Sequence, residues 1–378
     1  MRAALSFSGC HRRAGVERIM LECALFLASR GHDIDVFAHD YDPSEAPSLN
    51  FHYVPMRKQP FFLRDRSFFQ ECTRRLDSRS YDVMGTFGSV CPVGGVHFVQ
   101  SIHRAWLERS RLLRAPLSPA GIGQRLNPLH HVLLELEEYH FRQRRYRKII
   151  ATTPQIRDDL KRLYDVPEED VVIIPNGFSP TEFSPERRAT RRLEARTHLG
   201  LQPEHVVLLF AANELERKGY GTILSALSQL RRPELRLLVV GKPDVAIVRR
   251  RAAQAGLAEQ VIACGQTRDV EFYHAASDLF VLPTQYEAYC LAILEALGSG
   301  LPVVTTRVPG AQDAIQPGIN GALIDDPRDG KQLAAALEPL LEEGPRTALS
   351  ARVPETAREY QWPVVLKRYE QLLLECRN

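Results

Sequence analysis

The sequence has no run of about 18 or more apolar residues, so no segment of it is predicted to span a bilayer. It also has no CxxC spacing and no repeat of a length typical of solenoids. Its cysteines are odd in number and lie at Cys10, Cys23, Cys72, Cys91, Cys264, Cys290 and Cys376. This pattern argues against a zinc site or a disulfide framework and indicates a reducing cytoplasm. The apolar stretch near the start is too short and interrupted for a signal peptide, so we expect a cytoplasmic protein.

Length and composition predict a globular protein of two domains. The chain has 378 residues, of which 44% are hydrophobic and 25% are charged. This length exceeds one ordinary α/β core and fits two. The formal net charge of +3 is small, so the distribution of charge is more informative than its sum.

Short apolar runs alternate with helical patterns in both halves, which predicts parallel sheets covered on both faces. In the first half, the strand candidates are Ala3–Ser8, Asp33–Ala38, Val83–Thr86, Gly95–Gln100, Lys148–Thr152 and Val171–Pro175. In the second half they are Val206–Ala211, Leu235–Val240, Val261–Cys264, Leu279–Leu282, Pro302–Thr305 and Gly321–Ile324. The helix candidates are Val16–Ser29, Glu186–Thr197, Thr222–Leu230, Val245–Ala255, Val270–Ala276, Leu291–Ser299 and Pro363–Leu374, and the charged segment Glu186–Thr197 is interpreted as a surface helix.

The break between the halves is predicted at residues 175–185, PNGFSPTEFSP, because Pro, Gly, Asn and Ser suit a linker. This gives an N-terminal domain over residues 1–178 and a C-terminal domain over 179–360. Residues 361–378 are predicted to form a helix that packs back toward the N-terminal domain.

The most informative segment places two glutamates around a predicted helix start. Glu287 lies in the loop after a strand, and Glu295 follows eight residues later inside the helix. The amides of Ala288–Leu291 lie at or before the helix N-terminus, which favours a diphosphate. Glu287 can accept hydrogen bonds from sugar hydroxyls, and Glu295 can bind a ribose. The alternative is that Glu287 is a loop charge and Glu295 a solvated helix residue.

Several motifs resemble those of the retaining glycosyltransferases of family 4, which have the GT-B fold. The segment EAYCLAILE resembles the E-x7-E signature of this family, and IIPNGFSPTEFSP resembles its interdomain linker. ERKGY, SDLFVLPT, AGVER and RGHDIDVF resemble further family motifs in the same order along the chain. The resemblance implies two Rossmann-like domains whose parallel sheets face a central cleft that holds a nucleotide-sugar.

The resemblance also implies the roles of individual residues in the C-terminal domain. Arg217 and Lys218 would neutralise the leaving diphosphate, and Glu287 would contact the transferred sugar. The expected donor-binding residues are Gly15, Arg217, Lys218, Glu287, Ala288, Tyr289, Cys290, Leu291 and Glu295. Gly265, Gln266 and Arg268, at the end of another strand, are candidates for the nucleobase contact.

In the N-terminal domain, His103 in VQSIHRAW resembles the active-site histidine of the family. His103, Glu287, Arg217 and Lys218 are therefore the candidate catalytic residues. Gly15, in the first strand-to-helix loop, would let the backbone approach the donor or acceptor closely.

The sequence departs from the family pattern at some positions. Ala212-Asn213 stands where many members have Gly-Arg, Cys290 replaces a usual glycine, and Ala14 replaces another. Asp33-Ile-Asp35 and Asp40-Tyr-Asp42 both have the D-x-D spacing that binds metal in other glycosyltransferases. We discount both motifs and expect neither a metal nor another cofactor.

The expected reaction is transfer of a hexose from a nucleotide-diphosphate sugar, UDP-sugar being favoured, by metal-independent front-face displacement with retention. One alternative is a non-hydrolysing sugar-nucleotide 2-epimerase. The other is a catalytically silent sugar-nucleotide-binding protein.

Two segments of the N-terminal half are rich in basic residues. Residues 57–79 contain seven Lys or Arg against three acidic residues, with phenylalanines between them, and residues 104–148 contain ten against four. Such segments suit an anionic membrane surface or a phosphorylated acceptor; solvated helix faces are the alternative. The expected acceptor is a glycan, a small molecule or a glycolipid, as in enzymes that act on the lipopolysaccharide core, and no nucleic acid is expected.

Overall fold

The chain divides into two compact units in this computed structural model. The first comprises Met1–Asn176 together with Pro363–Asn378, and the second comprises Gly177–Trp362. The structure describes residues 1–13, 15–90, 94–112, 119–287 and 289–377.

Parallel strands form the centre of the first unit. The strands are β1 (Arg2–Ser6), β2 (Gly9–Cys10), β3 (Asp33–Ala38), β4 (Asp40–Tyr41), β5 (Asn50–Tyr53), β6 (Val83–Phe87), β7 (Val96–Val99), β8 (Lys148–Ala151) and β9 (Val171–Ile173). One parallel sheet has the order β5-β3-β1-β6-β7-β8-β9, and β2 pairs with β4 separately. Strand β5 was not predicted from the sequence because three of the four residues of Asn50–Tyr53 are exposed at the sheet edge, so no continuous apolar run marks it.

The helices of the first unit connect these strands. They are α1 (Gly15–Ser29), α2 (Arg64–Arg75), α3 (His103–Leu112), α4 (Pro119–Leu126), α5 (Pro128–Glu137) and α6 (Pro154–Tyr164), and a π-helical turn over Glu138–Arg142 continues α5. Among the described residues, no helix combines the length and the apolar character needed to cross a membrane.

The second unit repeats this architecture. Its strands are β10 (Val206–Ala211), β11 (Leu235–Val240), β12 (Val261–Gly265), β13 (Leu279–Leu282), β14 (Val303–Thr306) and β15 (Gly321–Ile324), in the parallel order β12-β11-β10-β13-β14-β15. Its helices are α7 (Pro185–His198), α8 (Tyr220–Leu230), α9 (Val245–Gln254), α10 (Val270–Ala276), α11 (Leu291–Gly298), α12 (Gly330–Leu341) and α13 (Glu343–Ala357). In order of occurrence the strands read 3-2-1-4-5-6, which is the Rossmann arrangement. The prediction of two Rossmann-like domains with parallel sheets is confirmed.

Continuous apolar runs explain why the central strands were predicted correctly. Strand β13 is fully buried, and β10 is buried except at its last residue. Such strands lie between two layers of helices, so both faces need apolar side chains.

The last helix, α14 (Trp362–Glu375), completes the first unit. The fully buried ring of Tyr369 meets that of Phe98 edge-on at 5.1 Å, and its hydroxyl donates to the Pro175 carbonyl at 3.3 Å. On the same helix, Glu370 Oε1 lies 2.8 Å from Nε2 of His32.

Helix α7 differs from a solvated surface helix on one face. Arg188, Arg192 and Arg196 are spaced four residues apart and donate to the carbonyls at the end of α10, from Ala275 to Ser277. Arg192 and Arg196 also pair with the buried carboxylate of Asp278, at 2.6 and 3.4 Å. Cations are favourable at a helix C-terminus, and this packing cannot be recognised from the arginine run alone.

A buried histidine makes the second unit sensitive to acid. His274 is 1% exposed, and burial, followed by the charge of Arg188, lowers its pKa to about 3. In the unfolded chain a histidine titrates near pH 6.5, so below that pH protons bind the unfolded state first and stability falls. We expect His274 to cost about 2 kcal/mol of stability between pH 7 and pH 5.

The check is urea unfolding at pH 7 and pH 5. His274→Gln should lose less stability between these two pH values than the wild type does. His131→Gln, a change of the exposed histidine on α5, is the matched control and should follow the wild type. Equal pH dependence in all three proteins would contradict the assignment.

Candidate active site

Two loops meet at the carboxyl edge of the sheet in the second unit. Loop A (residues 212–219) follows β10, and loop B (residues 283–290) follows β13. Strands β10 and β13 are adjacent, while the chain continues from β10 to β11 on the opposite side. In open parallel sheets, ligands bind where the strand order reverses in this way. The candidate residues Arg217 and Lys218 lie on loop A, and Glu287 lies on loop B.

The backbones of the two loops are joined directly. The Gln285 amide donates to the Arg217 carbonyl at 2.9 Å, and Gln285 Nε2 donates to the Glu216 carbonyl at 3.2 Å. Gly219 has φ of +83°, and a Cβ at this position would lie 2.1 Å from the Pro283 carbonyl oxygen. Only glycine allows this approach, so the glycine after Arg217 and Lys218 fixes the spacing of the loops.

A buried carboxylate lies between the cations of loop A. Glu287 is 7% exposed, and its Oε1 accepts hydrogen bonds from Lys218 Nζ and, at 2.9 Å, from the Thr284 hydroxyl. Nη1 of Arg217 lies 3.6 Å from the same oxygen. The structure therefore brings together the three candidate catalytic residues of this unit. A buried carboxylate requires such partners because desolvation penalises its charge.

The Arg217 side chain connects loop A to loop B through hydrogen bonds. Its Nε and Nη2 donate to the two carboxylate oxygens of Glu214 at 3.1 and 2.9 Å, and Nη1 donates to the Tyr286 carbonyl at 2.7 Å. Burial alone would lower the pKa of Arg217, but the hydrogen bonds to Glu214 and the charge of Glu287 raise it overall. The hydrogen bond from Arg217 lowers the pKa of Glu214. The guanidinium therefore stays charged while it orients loop B.

Helix α11 begins directly after loop B. Cys290 is its N-cap residue, and the Cys290 amide donates to the Gly310 carbonyl at 3.2 Å. Leu291 opens the helix, and the first amides of a helix lack partners inside it. Tyr289 precedes the cap residue, whereas Ala288 lies outside the described residues. One of the four amides proposed for the diphosphate is thus already bonded within the protein.

The side chains of Cys290 and Glu295 are buried. Burial raises the pKa of the Cys290 thiol to about 12, and the charge of Glu287 acts in the same direction. The thiol is therefore protonated at neutral pH and is a poor nucleophile. Glu295 is 9% exposed within α11 and is not a solvated helix residue.

The candidates for the nucleobase contact lie further along the same sheet edge. Gly265 ends β12, the edge strand, and its carbonyl accepts the Gly241 amide at 2.9 Å. Gln266 and Arg268 follow, and both are exposed. All candidates described in the second unit therefore lie at the carboxyl ends of strands or in the helix that follows.

In the first unit, His103 opens helix α3. The backbone amides of His103 and Arg104 donate to the buried Glu137 carboxylate, which also accepts a hydrogen bond from the Tyr164 hydroxyl at 2.6 Å. A carboxylate in this position is favourable because it satisfies the first amides of the helix.

The ring of His103 is held between other aromatic rings. Its Nε2 lies 3.0 Å from Nδ1 of His130, and its plane stacks on Trp106 at 5.4 Å. Burial, with the charge of His130, lowers the pKa of His103 to about 4. The ring is neutral at pH 7 and can exchange hydrogen bonds without carrying charge.

Gly15 is the first residue of α1, and a Cβ there would meet nothing within 4 Å, so its surface is open. Its neighbour Ala14 lies outside the described residues.

In the first D-x-D motif, Asp35 is buried and accepts hydrogen bonds from the Tyr81 hydroxyl at 2.8 Å and from His52 at 3.0 Å. Asp35 therefore has partners inside the protein.

Sequence reasoning missed four residues that hold the candidates in place: Glu214, Thr284, His130 and Glu137. Glu214 lies three residues before Arg217, and Thr284 is the last residue of the motif SDLFVLPT, so local signals for both existed. His130 and Glu137 are 27 and 34 residues from His103, and no local pattern links them to it.

Comparison with known families agrees with this arrangement. The model of the family described as Glycosyltransferase Family 4 matches residues 13–182, and that of Glycosyl transferases group 1 matches residues 192–360. Together they cover most of the chain. The protein is therefore a glycosyltransferase of the GT-B fold, with a family 4 domain followed by a group 1 domain. This confirms the family resemblance and the enzyme class expected from the motifs.

Individual relatives are similar over nearly the whole length. Lipopolysaccharide glucosyltransferase WaaG of Escherichia coli K12 is 25% identical over 349 residues, covering 92% of this chain and 90% of that protein. A D-inositol 3-phosphate glycosyltransferase of Xylanimonas cellulosilytica is 29% identical over 384 residues, covering 92% and 88%.

Solved structures show the same fold. A crystal structure of WaaG has a TM-score of 0.80 at 21% identity and covers 98% of this chain and 99% of that one. Anabaena HepE in complex with UDP and glucose has a TM-score of 0.75 at 17% identity, covering 99% and 100%.

Proposed function

We propose that the protein transfers a hexose from a UDP-sugar to an acceptor hydroxyl with retention of configuration and without a metal. The observation that carries this proposal is the cluster of Arg217, Lys218 and Glu287 at the switch point of the second sheet. It combines cations suited to a diphosphate with a carboxylate suited to sugar hydroxyls. The UDP and glucose bound by the HepE structure support this donor class.

In the proposed step, the acceptor oxygen bonds to the anomeric carbon while the bond from that carbon to the diphosphate oxygen breaks. The acceptor proton passes to the leaving diphosphate on the same face of the sugar. Lys218 and Arg217 stabilise the negative charge that develops on the diphosphate. Glu287 orients the sugar by accepting hydrogen bonds from its hydroxyls, and Glu295 is proposed to bind the ribose. His103, being neutral, would act on the donor sugar as a hydrogen-bonding group.

We propose a hydroxyl of a glycolipid as the acceptor, with a glycan or a small molecule as alternatives. The similarity to WaaG supports the glycolipid. Phe61 and Leu126, exposed by 52% and 75%, lie within the two basic segments of the sequence, residues 57–79 and 104–148, and such segments suit peripheral contact with an anionic membrane at its cytoplasmic face. A 2-epimerase or a silent binding protein is not favoured, because both family models and the relatives compared are glycosyltransferases.

The first test is calorimetric titration of UDP, GDP and ADP. We expect UDP to bind at micromolar strength, equally with EDTA and with magnesium. Lys218→Ala should weaken UDP binding about tenfold or more, because a charge-assisted contact in a buried site is lost.

Lys331→Ala is the matched control, since Lys331 is an exposed lysine at the start of α12, after the edge strand β15. Its affinity for UDP should equal that of the wild type. Failure of all three nucleotides to bind the wild type would overturn the proposed function, and binding that requires magnesium would overturn its metal independence.

A further inference from the structure

The two loops at the switch point hold no surplus of positive charge. Loop A contributes Arg217 and Lys218 but also Glu214 and Glu216, and loop B contributes Glu287; Glu216 is itself paired with Arg251 of α9. Both cations already have carboxylate partners, Glu214 for Arg217 and Glu287 for Lys218. A nucleotide diphosphate adds further negative charge at this place. A site that receives it therefore needs another cation within reach of the same edge of the sheet.

The next strand supplies a cation in a fixed position. Strand β11 is adjacent to β10, and Lys242 comes two residues after its end. The Lys242 amide donates to the side-chain oxygen of Asn213 on loop A at 3.3 Å. A Cβ on Gly241 would lie 2.0 Å from the Ala212 carbonyl oxygen, so the backbone there presses against the start of loop A. The Cα of Lys242 is thus held beside the loop that carries Arg217 and Lys218.

The side chain of Lys242 is available for a ligand. It is exposed, and its ammonium makes no hydrogen bond or ion pair with the described residues. By contrast, Arg307, which follows β14 on the other side of the switch point, is paired with Asp325 at 2.9 Å. Arg268 is also exposed, but it follows β12, one strand further from β10 than Lys242.

We infer that Lys242 is a further donor-binding residue, whose ammonium pairs with the diphosphate of the nucleotide-sugar. This inference rests on the proposed function. A lysine suits the role because its flexible stem lets a point charge follow the phosphate oxygens. Lys242 supplies the net positive charge that the ion-paired residues of the two loops lack.

Calorimetry with UDP and with uridine tests this assignment. Lys242→Ala should weaken UDP binding about tenfold, because a contact with an ionised oxygen is lost, and should leave uridine binding unchanged. Lys242→Arg keeps the charge and should stay within about threefold of the wild type for UDP. Lys331→Ala should bind both ligands as the wild type does.

The results separate the two proposals. If the wild type binds no nucleotide, the proposed function fails. If it binds UDP and Lys242→Ala binds UDP equally well, only the role of Lys242 fails. An equal loss of uridine and UDP binding would assign Lys242 to the nucleoside and overturn the diphosphate contact, and an Arg variant as weak as the Ala variant would show that charge is not the cause.

Discussion

Replacing Glu287 by glutamine should lower kcat by about 100-fold while leaving the affinity for UDP unchanged or higher. The carboxylate is the partner of Lys218 and accepts a hydrogen bond from the Thr284 hydroxyl. The neutral side-chain amide of glutamine therefore removes a negative charge from a buried cluster. The charge of Lys218 is then no longer neutralised by a carboxylate, so it attracts a diphosphate more strongly. The acceptor for the sugar hydroxyls is weakened at the same time, and this loss is felt most in the transition state.

The measurement combines UDP calorimetry with UDP release from the UDP-sugar. Glu338→Gln, a change of an exposed glutamate on α12, controls for the loss of one carboxylate from the same unit. Weaker UDP binding together with an unchanged kcat would remove Glu287 from the reacting centre.

The second large effect is expected for Gly219→Ala. Alanine at φ of +83° costs about 1–2 kcal/mol, and its Cβ would lie 2.1 Å from the Pro283 carbonyl oxygen. Loops A and B must then move apart, which separates Lys218 from Glu287. We expect a total loss of stability of about 3 kcal/mol or more and nearly complete loss of activity.

Gly200→Ala separates backbone strain from the steric clash. Gly200 has φ of +66°, but a Cβ there would meet nothing within 4 Å. The free energy of unfolding of this variant should fall by only about 1–2 kcal/mol, and its activity should be kept. Thermal unfolding and UDP release are the readouts. If the two variants behave alike, the contact between Gly219 and Pro283 does not hold the loops together.

Much of the fold could be predicted from the sequence because its signals are local. The predicted strands appear within a few residues of their predicted ends, since each buried strand is a short apolar run bounded by turn residues. The exposed edge strand Asn50–Tyr53 was not predicted, because an edge strand does not need two apolar faces.

The candidate site was predictable in part for the same reason. Glu287 and Glu295 are eight residues apart, and Arg217 and Lys218 are adjacent, so motif spacing alone identified them. The pairing of Lys218 with Glu287 spans 69 residues, and nothing in the spacing requires it.

The sequence by itself determined two Rossmann-like domains, the glycosyltransferase family and the residue types at the ends of the strands. Only the tertiary structure decided which of these charges are already paired. Arg217 is paired with Glu214 and Lys218 with Glu287, whereas the ammonium of Lys242, two residues after the end of the neighbouring strand β11, has no such partner among the described residues. The physical reason is that propensity and motif spacing act along the chain. Charge pairing depends on distances across the sheet edge, which the strand order β12-β11-β10-β13 sets.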